Sequence, residues 1–288
     1  MICYVLNLER HQIRLQWFLQ QFDSSDLAAS ELRRFRAIDP ARLWPHARAL
    51  VYEPALARLA AVEHRGFRQS HYELPSKGAI GCALSHLCSW LDILSDAAAP
   101  ANQLYLVMED DAILPRRLLG SVKKALQGVS AGWDILLLGW RTPKPSMVTK
   151  HTTHVDIRMF QGTHAYLISK AAVRKIFENG ALPLREQIDA YLSGLAQATK
   201  LKIYALPKRL VGTTKRWVSS IQFDYDFEFS HAKLTYNHPF EMAIGSTSVE
   251  DLQRLDALRA QHGVYRLRQE TRPKTRVGLE LRSNSVPC

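Results

Sequence analysis

The order of apolar and polar positions divides most of the chain into alternating strands and helices. Leu104, Tyr105, Leu106, Val107 and Met108 form an unbroken apolar run, the pattern of a central strand covered on both faces. Residues 2–8 (ICYVLNL) read as an earlier strand and residues 33–38 as a second. Between those two, Ile13, Trp17, Phe18 and Phe22 recur at helical spacing and predict a helix over residues 12–22. Strand, helix and strand suggest a βαβ unit with its crevice at the strands' carboxyl ends. Residues 41–72 are less regular and read as mixed helix and loop. A helix over residues 76–95 has Ser76 as its N-cap and Ile80, Leu84, Leu87, Leu91 and Leu94 as its apolar stripe. Further on, the pattern predicts a helix at 116–127, a buried strand at 133–139 and a mobile loop at 141–151. Strands at 155–160 and 164–169 are expected to pair around Gly162 and Thr163. A helix at 170–178 ends on Asn179 and Gly180, another covers 186–198, and a last strand at 201–206 stops at Pro207. Residues 217–238 carry aromatics and histidines without clear periodicity. Leu252, Leu255 and Leu258 mark an amphipathic helix at 249–261, and an arginine-rich end follows Tyr265. The change of pattern sets an expected boundary between a main domain, 1–240, and a C-terminal amphipathic helix with a basic tail, 241–288.

Candidate chemistry gathers where the central strand ends, at Glu109, Asp110 and Asp111, before Pro115 closes the turn. Open α/β sheets bind ligands at the carboxyl ends of their strands. Three adjacent carboxylates stay ionised together only if a cation or strong donors compensate them. Hard oxygen ligands suit magnesium or manganese, ions that also hold a substrate diphosphate. If strand geometry persists, Glu109 and Asp111 face one way and Asp110 the other. A solvated acidic turn is the competing reading of these three residues. In the helix at 76–95, Gly81, Ala83 and Ser85 are small. A glycine inside a helix costs about 1 kcal/mol relative to alanine, so close packing or the approach of a ligand is its expected reason. Ser85 and His86 are candidate ligand contacts, with local packing or capping the alternative for His86.

Charge narrows the partners without choosing one. The 38 Lys and Arg against 27 Asp and Glu leave +11 with histidine neutral, which favours a nucleotide-sugar, a phosphorylated glycolipid, an anionic membrane or nucleic acid. The four cysteines are scattered with no metal-binding spacing, as expected of free thiols in a reducing compartment. No stretch approaches the roughly 20 apolar residues of a membrane span, and the first residues lack the form of a signal peptide. A cytoplasmic protein, soluble or peripheral on the membrane's inner face, is expected.

The blocks YVLNLER, GAIGCALSHLCSW, YLVMEDDAIL, GWDILLLG, GTHAYLISKAAV, QIDAYL and YALP occur in an order that resembles glycosyltransferase family 25 over roughly residues 2–215. That family includes bacterial lipooligosaccharide galactosyltransferases and the galactosyltransferase domains that modify collagen. The resemblance implies a GT-A-like nucleotide-diphospho-sugar transferase fold, a mixed, mostly parallel sheet flanked by helices. It also implies an inverting transfer from UDP-galactose, sometimes UDP-glucose, with a divalent cation such as Mn²⁺ or Mg²⁺. Carried over by position, Glu109, Asp110 and Asp111 stand for the Asp-x-Asp metal motif. Asn7 and Arg10 sit where the first strand meets the nucleotide, and Gly81, Ser85 and His86 join them as donor-binding candidates. Asp189 matches the acid of the D-x-x-L helix, although the proline usual near it is displaced to Pro183. Inversion by direct displacement needs a base for the acceptor hydroxyl, with Asp189 the first candidate and Glu186 the second. Both are also ordinary acids for the first turns of a helix. His231 and His238 are further candidates for the metal or diphosphate. The expected acceptor is a glycan or glycolipid, and the basic tail is expected to meet an anionic membrane. Two other classes stand against this: a catalytically silent binding or scaffold member of the fold, and a basic nucleic-acid-binding protein. The intact acidic triplet argues against the first, and the lack of any nucleic-acid motif against the second.

Overall fold

A computed structural model gives the fold and describes residues 1–141, 148–217, 221, 246–262 and 264–267. The opening unit is β1 (Ile2–Asn7), α1 (Gln12–Asp23) and β2 (Glu31–Arg36), with the two strands parallel. The mixed region resolves into α2 (Pro40–Arg48) and α3 (Glu53–Arg65), and α4 (Lys77–Ser95) follows. Asp39 caps α2 through Ala41 N–H and Ser76 caps α4 through Ala79 N–H, as short polar side chains do at helix starts. Then come β3 (Leu104–Glu109), β4 (Ala112–Ile113), α5 (Leu118–Gly128) and β5 (Ile135–Arg141). β6 (Val148–Lys150), β7 (Val155–Ile157), β8 (Gln161–Ser169) and α6 (Lys170–Glu178) lead to α7 (Ile188–Gln197), β9 (Ile203–Ala205) and β10 (Gly212–Thr213). α8 (Val249–His262) and β11 (Val264–Leu267) are the last described elements.

Among the described residues, nine strands form one sheet in the order β11-β2-β1-β3-β8-β5-β9-β7-β6. β2, β1, β3, β5 and β9 run parallel, while β8 is inserted antiparallel between β3 and β5. This is the mixed, mostly parallel α/β architecture expected. One side of the sheet packs on α4, α6 and α7 through Tyr4, Leu6, Tyr105, Val107, Tyr166 and Ile168. The other packs on α1 and α5 through Cys3, Val5, Leu106, Met108, Ala165 and Leu167. The odd and even positions of each central strand therefore bury into different cores, which is why these strands read as continuous apolar runs.

Several local expectations are overturned. β7 does not pair with β8; it lies between β9 and β6, while β8 crosses to the middle of the sheet. Every residue of β8 from Thr163 to Ile168 is buried, so no alternation was there to reveal its neighbours. Part of the expected loop is strand β6, residues 142–147 lying outside the described residues. α7 begins at Ile188, leaving Glu186 ahead of its N-cap Gln187. By length and composition α4 could span a bilayer, contrary to the expectation that no stretch could, but 67% of that stretch is buried in the fold. It is a core helix. α8 buries Leu255 and Leu258 in the same core as α4, and β11 pairs with β2, so stretches on either side of residue 240 share one core.

Candidate active site

β1 and β3 are parallel neighbours, so their carboxyl ends open side by side. The alternation that sends Tyr105 and Val107 toward α4, and Leu106 and Met108 toward α1, sends Glu109 toward α4 and Asp110 toward α1. The contacts follow that geometry. Asn7, which ends β1, donates its amide to Asp110 Oδ2 at 2.7 Å, and Arg34 donates to Asn7 Oδ1 at 2.7 Å and so fixes which way the amide points. Arg14 of α1 lies 3.6 Å from Asp110 Oδ1. Burial raises the Asp110 pKa, and Asn7 and Arg14 partly oppose it. On the other side Glu109 Oε1 accepts from the Thr163 hydroxyl at 2.9 Å and lies 3.6 Å from His86 Nε2. Burial would raise Glu109, but His86, then His164 and Thr163, outweigh it and hold the carboxyl below its ordinary range.

Asp111 is different. Its Oδ1 is buried and has no hydrogen-bond partner among the described residues. Burial first, then the charges of Glu109 and Asp110, push its pKa up to about 7. Its backbone is pinned, because Asp111 O accepts from Thr214 N–H at 3.0 Å and the adjoining β4 pairs with β10.

The three acids line a cleft of about 270 Å³. Arg10, Arg14 and Lys77 also line it, with Gly78 in the first turn of α4. A helix N-terminus, three cations and three carboxylates lining one cleft make a surface that can take an anion and a cation together. An orphaned, crowded carboxylate oxygen beside two more carboxylates is a donor set that fits a hard divalent cation. A second set lies close by: ligand atoms of Cys82, His86 and Glu109 all fall within 4.8 Å of one another. This corrects the expectation that no cysteine has metal spacing, since Cys82 and His86 are one helical turn apart, and that i, i+4 spacing was the available signal. The Cys82 thiol, however, is pushed well up by burial and then by Glu109, Asp189, Asp111 and Asp110. A thiol held neutral is a poor ligand, so the oxygen set fits a cation better.

The remaining sequence candidates are placed as follows. Arg10 lines the cleft and pairs with Asp39, the cap of α2. Gly81 is not among the residues that line the cleft; it packs behind two that do, and a Cβ there would lie 2.6 Å from Pro40 Cδ and 2.7 Å from Ile38 O. Close packing accounts for that glycine. Ser85 ties α4 to the end of β2, accepting from Ile38 N–H at 2.8 Å and donating to Gly81 O at 2.6 Å, and it also borders the cleft. Asp189 and Glu186 are buried and lie outside that lining. Asp189 accepts from Gly162 N–H at 2.8 Å and from Ala190 N–H at 2.9 Å. Gly162 adjoins Thr163, whose hydroxyl donates to Glu109, so Asp189 lies near the same end of the sheet. His231 and His238 lie outside the described residues. Thr163 and Cys82 were missed, and Thr163 offers no sequence signal at all. The β5–β8 ladder loses register at Gly139, where the His164 ring fills the space a Cβ would need, and past this irregularity Thr163 meets Glu109.

Comparison with known proteins agrees with this architecture. The family model described as glycosyltransferase family 25 (LPS biosynthesis protein) matches residues 1–191. A Bos taurus protein named a probable inactive glycosyltransferase 25 family member is 27% identical over 123 residues, covering 41% of this chain and 20% of that protein. An Acanthamoeba polyphaga mimivirus protein named as a glycosyltransferase is 27% identical over 135 residues, covering 47% of this chain and 36% of that protein. The chain thus spans well under half the length of either relative.

Proposed function

This chain belongs to glycosyltransferase family 25, and on that premise we propose that it is an inverting hexosyltransferase that moves galactose from UDP-galactose to a hydroxyl of a glycan acceptor, lipooligosaccharide or another surface glycan. The observation that carries the reading is the buried Asp111 Oδ1, unpartnered among the described residues, beside Glu109 and Asp110 in a cleft that Arg10, Arg14 and Lys77 also line. Asp111, with Glu109 and Asp110, would hold Mn²⁺ or Mg²⁺, and the bound ion would supply positive charge against that on a departing diphosphate. Arg10, Arg14, Lys77 and the α4 N-terminus meet the diphosphate oxygens. Asn7 acts by orienting Asp110. Asp189 takes the acceptor proton, with Glu186 as the second candidate. A carboxylate has about four lone-pair sites, so the two backbone N–H groups on Asp189 leave capacity for that proton. The net charge of +11 and the arginines after Tyr265 suit a peripheral position on the inner face of an anionic membrane.

A second reading has one specific support: a relative of this chain is named inactive. On that reading the cleft binds a nucleotide-sugar without transferring it. Incubation of the purified protein with a panel of UDP-hexoses and Mn²⁺, with UDP release measured, separates the two. Release from UDP-galactose above all others supports the proposal. Release from a different donor corrects the sugar, and no release from any donor or acceptor mixture, with UDP still bound, supports the silent reading.

A further inference from the structure

We propose that Tyr166, His86 and Thr163 are positioning residues that hold Glu109 through a one-way chain of buried hydrogen bonds. The inference rests on the reading of Glu109 as part of the cation site and adds what orients it. The chain begins at Trp90, whose indole N–H donates to Tyr166 Oη at 2.9 Å. An indole nitrogen can only donate, so the Tyr166 oxygen accepts. Tyr166 then places its own proton on its other partner, His86 Nδ1, at 2.8 Å. With Nδ1 accepting, the neutral ring carries its proton on Nε2. That nitrogen lies 3.3 Å from Thr163 Oγ1. Thr163 accepts there and passes its hydroxyl proton to Glu109 Oε1 at 2.9 Å.

Each inner member can donate one proton and accept one between an obligate donor and an obligate acceptor, and for a neutral His86 ring this is the assignment that satisfies all four contacts. Trp90, Tyr166 and His86 are fully buried and Thr163 is 3% exposed, which keeps bulk solvent from competing for these groups. The rings of His86, Trp90 and Tyr166 pack against one another at 5.7–6.4 Å between centroids, which limits their rotation. Anchoring Oε1 fixes the plane of the Glu109 carboxylate and leaves Oε2 for a cation in the cleft. It also removes the His86 Nε2 lone pair from ligand duty, a further reason for the oxygen set over the Cys82, His86 and Glu109 set. Groups that orient a metal ligand commonly change metal affinity by about 10–100-fold when removed.

Two measurements on the full chain test this. Nitrogen-15 NMR of the cation-free protein, with the His86 signal assigned by its loss in His86→Gln, should show the Nε2–H tautomer. In Tyr166→Phe that signal should shift toward Nδ1–H. An Nδ1–H tautomer in the unaltered protein, or no change in Tyr166→Phe, overturns the chain. Mn²⁺ binding without substrate should weaken about 10–100-fold in Thr163→Val and stay within about twofold in Thr163→Ser, which keeps the hydroxyl, with unchanged thermal unfolding in both. Equal affinity in Thr163→Val, or equal loss in both variants, overturns the positioning role. If the unaltered protein binds no Mn²⁺, the cation site itself falls while the tautomer result still decides the chain, so the two failures are distinguishable.

Discussion

Replacing Asp111 by Asn should stabilise the protein without cation and disable it with cation. Asp111 is raised from an ordinary 3.8 to about 7 by burial and by Glu109 and Asp110. A raised carboxyl binds its proton more tightly in the folded state than in the unfolded one. Its contribution to stability is therefore best below about pH 4, declines as pH rises through the window to about 7, and is constant above. Roughly three pKa units at 1.36 kcal/mol each set a ceiling of about 4 kcal/mol at pH 8, reduced by whatever water enters the cleft. Asn keeps the shape, removes the charge and can donate to a neighbouring carboxylate. In EDTA, urea unfolding should put the variant on the order of 2–4 kcal/mol above the unaltered protein at pH 8 and near it at pH 4, at unchanged slope. Saturating Mn²⁺ should reverse the order, since only the unaltered protein gains RT ln(1 + [L]/Kd). An Asn variant less stable in EDTA at pH 8, or a difference that does not vary with pH, would refute the reasoning.

If Asp189 is the base, Asp189→Asn should lower transfer by roughly 10²–10⁴-fold while UDP affinity by calorimetry stays within a few-fold; a parallel loss of both reassigns it to donor recognition and moves the base to Glu186. Gly81→Ala gains helix propensity but sets a Cβ 2.7 Å from Ile38 O, so a net loss of roughly 1–3 kcal/mol is expected in urea unfolding, and a gain would show that α4 can move off that turn. Deleting residues 268–288, which leaves β11 in the sheet, should weaken salt-sensitive binding to anionic vesicles, each lost Lys or Arg near the surface being worth about 1 kcal/mol; equal vesicle binding by the shortened chain would show the tail plays no part.

The cleft was legible in sequence because its parts are local. An apolar run that ends in three acids gives the strand and the acids that line the cleft together, and the Ser76 cap with its leucine stripe gives α4. What sequence hid was the order of strands. β8 is buried on both faces and lies between β3 and β5, so nothing in its pattern distinguishes that place from a hairpin with β7. The partners of Glu109 were hidden for the same reason: Thr163 is 54 residues away in the chain and reaches it only past an irregularity at Gly139. Asn7 was read as a nucleotide contact from its place at the end of β1, yet its amide is committed to Asp110, His11 O and Arg34. Strand ends mark where a site lies; which side chains meet the ligand depends on contacts that cross the sheet.

The most direct test of the central claim is calorimetry of UDP binding with Mn²⁺ and with EDTA, on the unaltered chain and on Asp111→Asn. A metal-dependent nucleotide-sugar site built on Asp111 predicts binding that requires Mn²⁺ in the unaltered protein and is lost or strongly weakened in the variant. UDP affinity that is the same in EDTA, or that survives unchanged in Asp111→Asn, would contradict it.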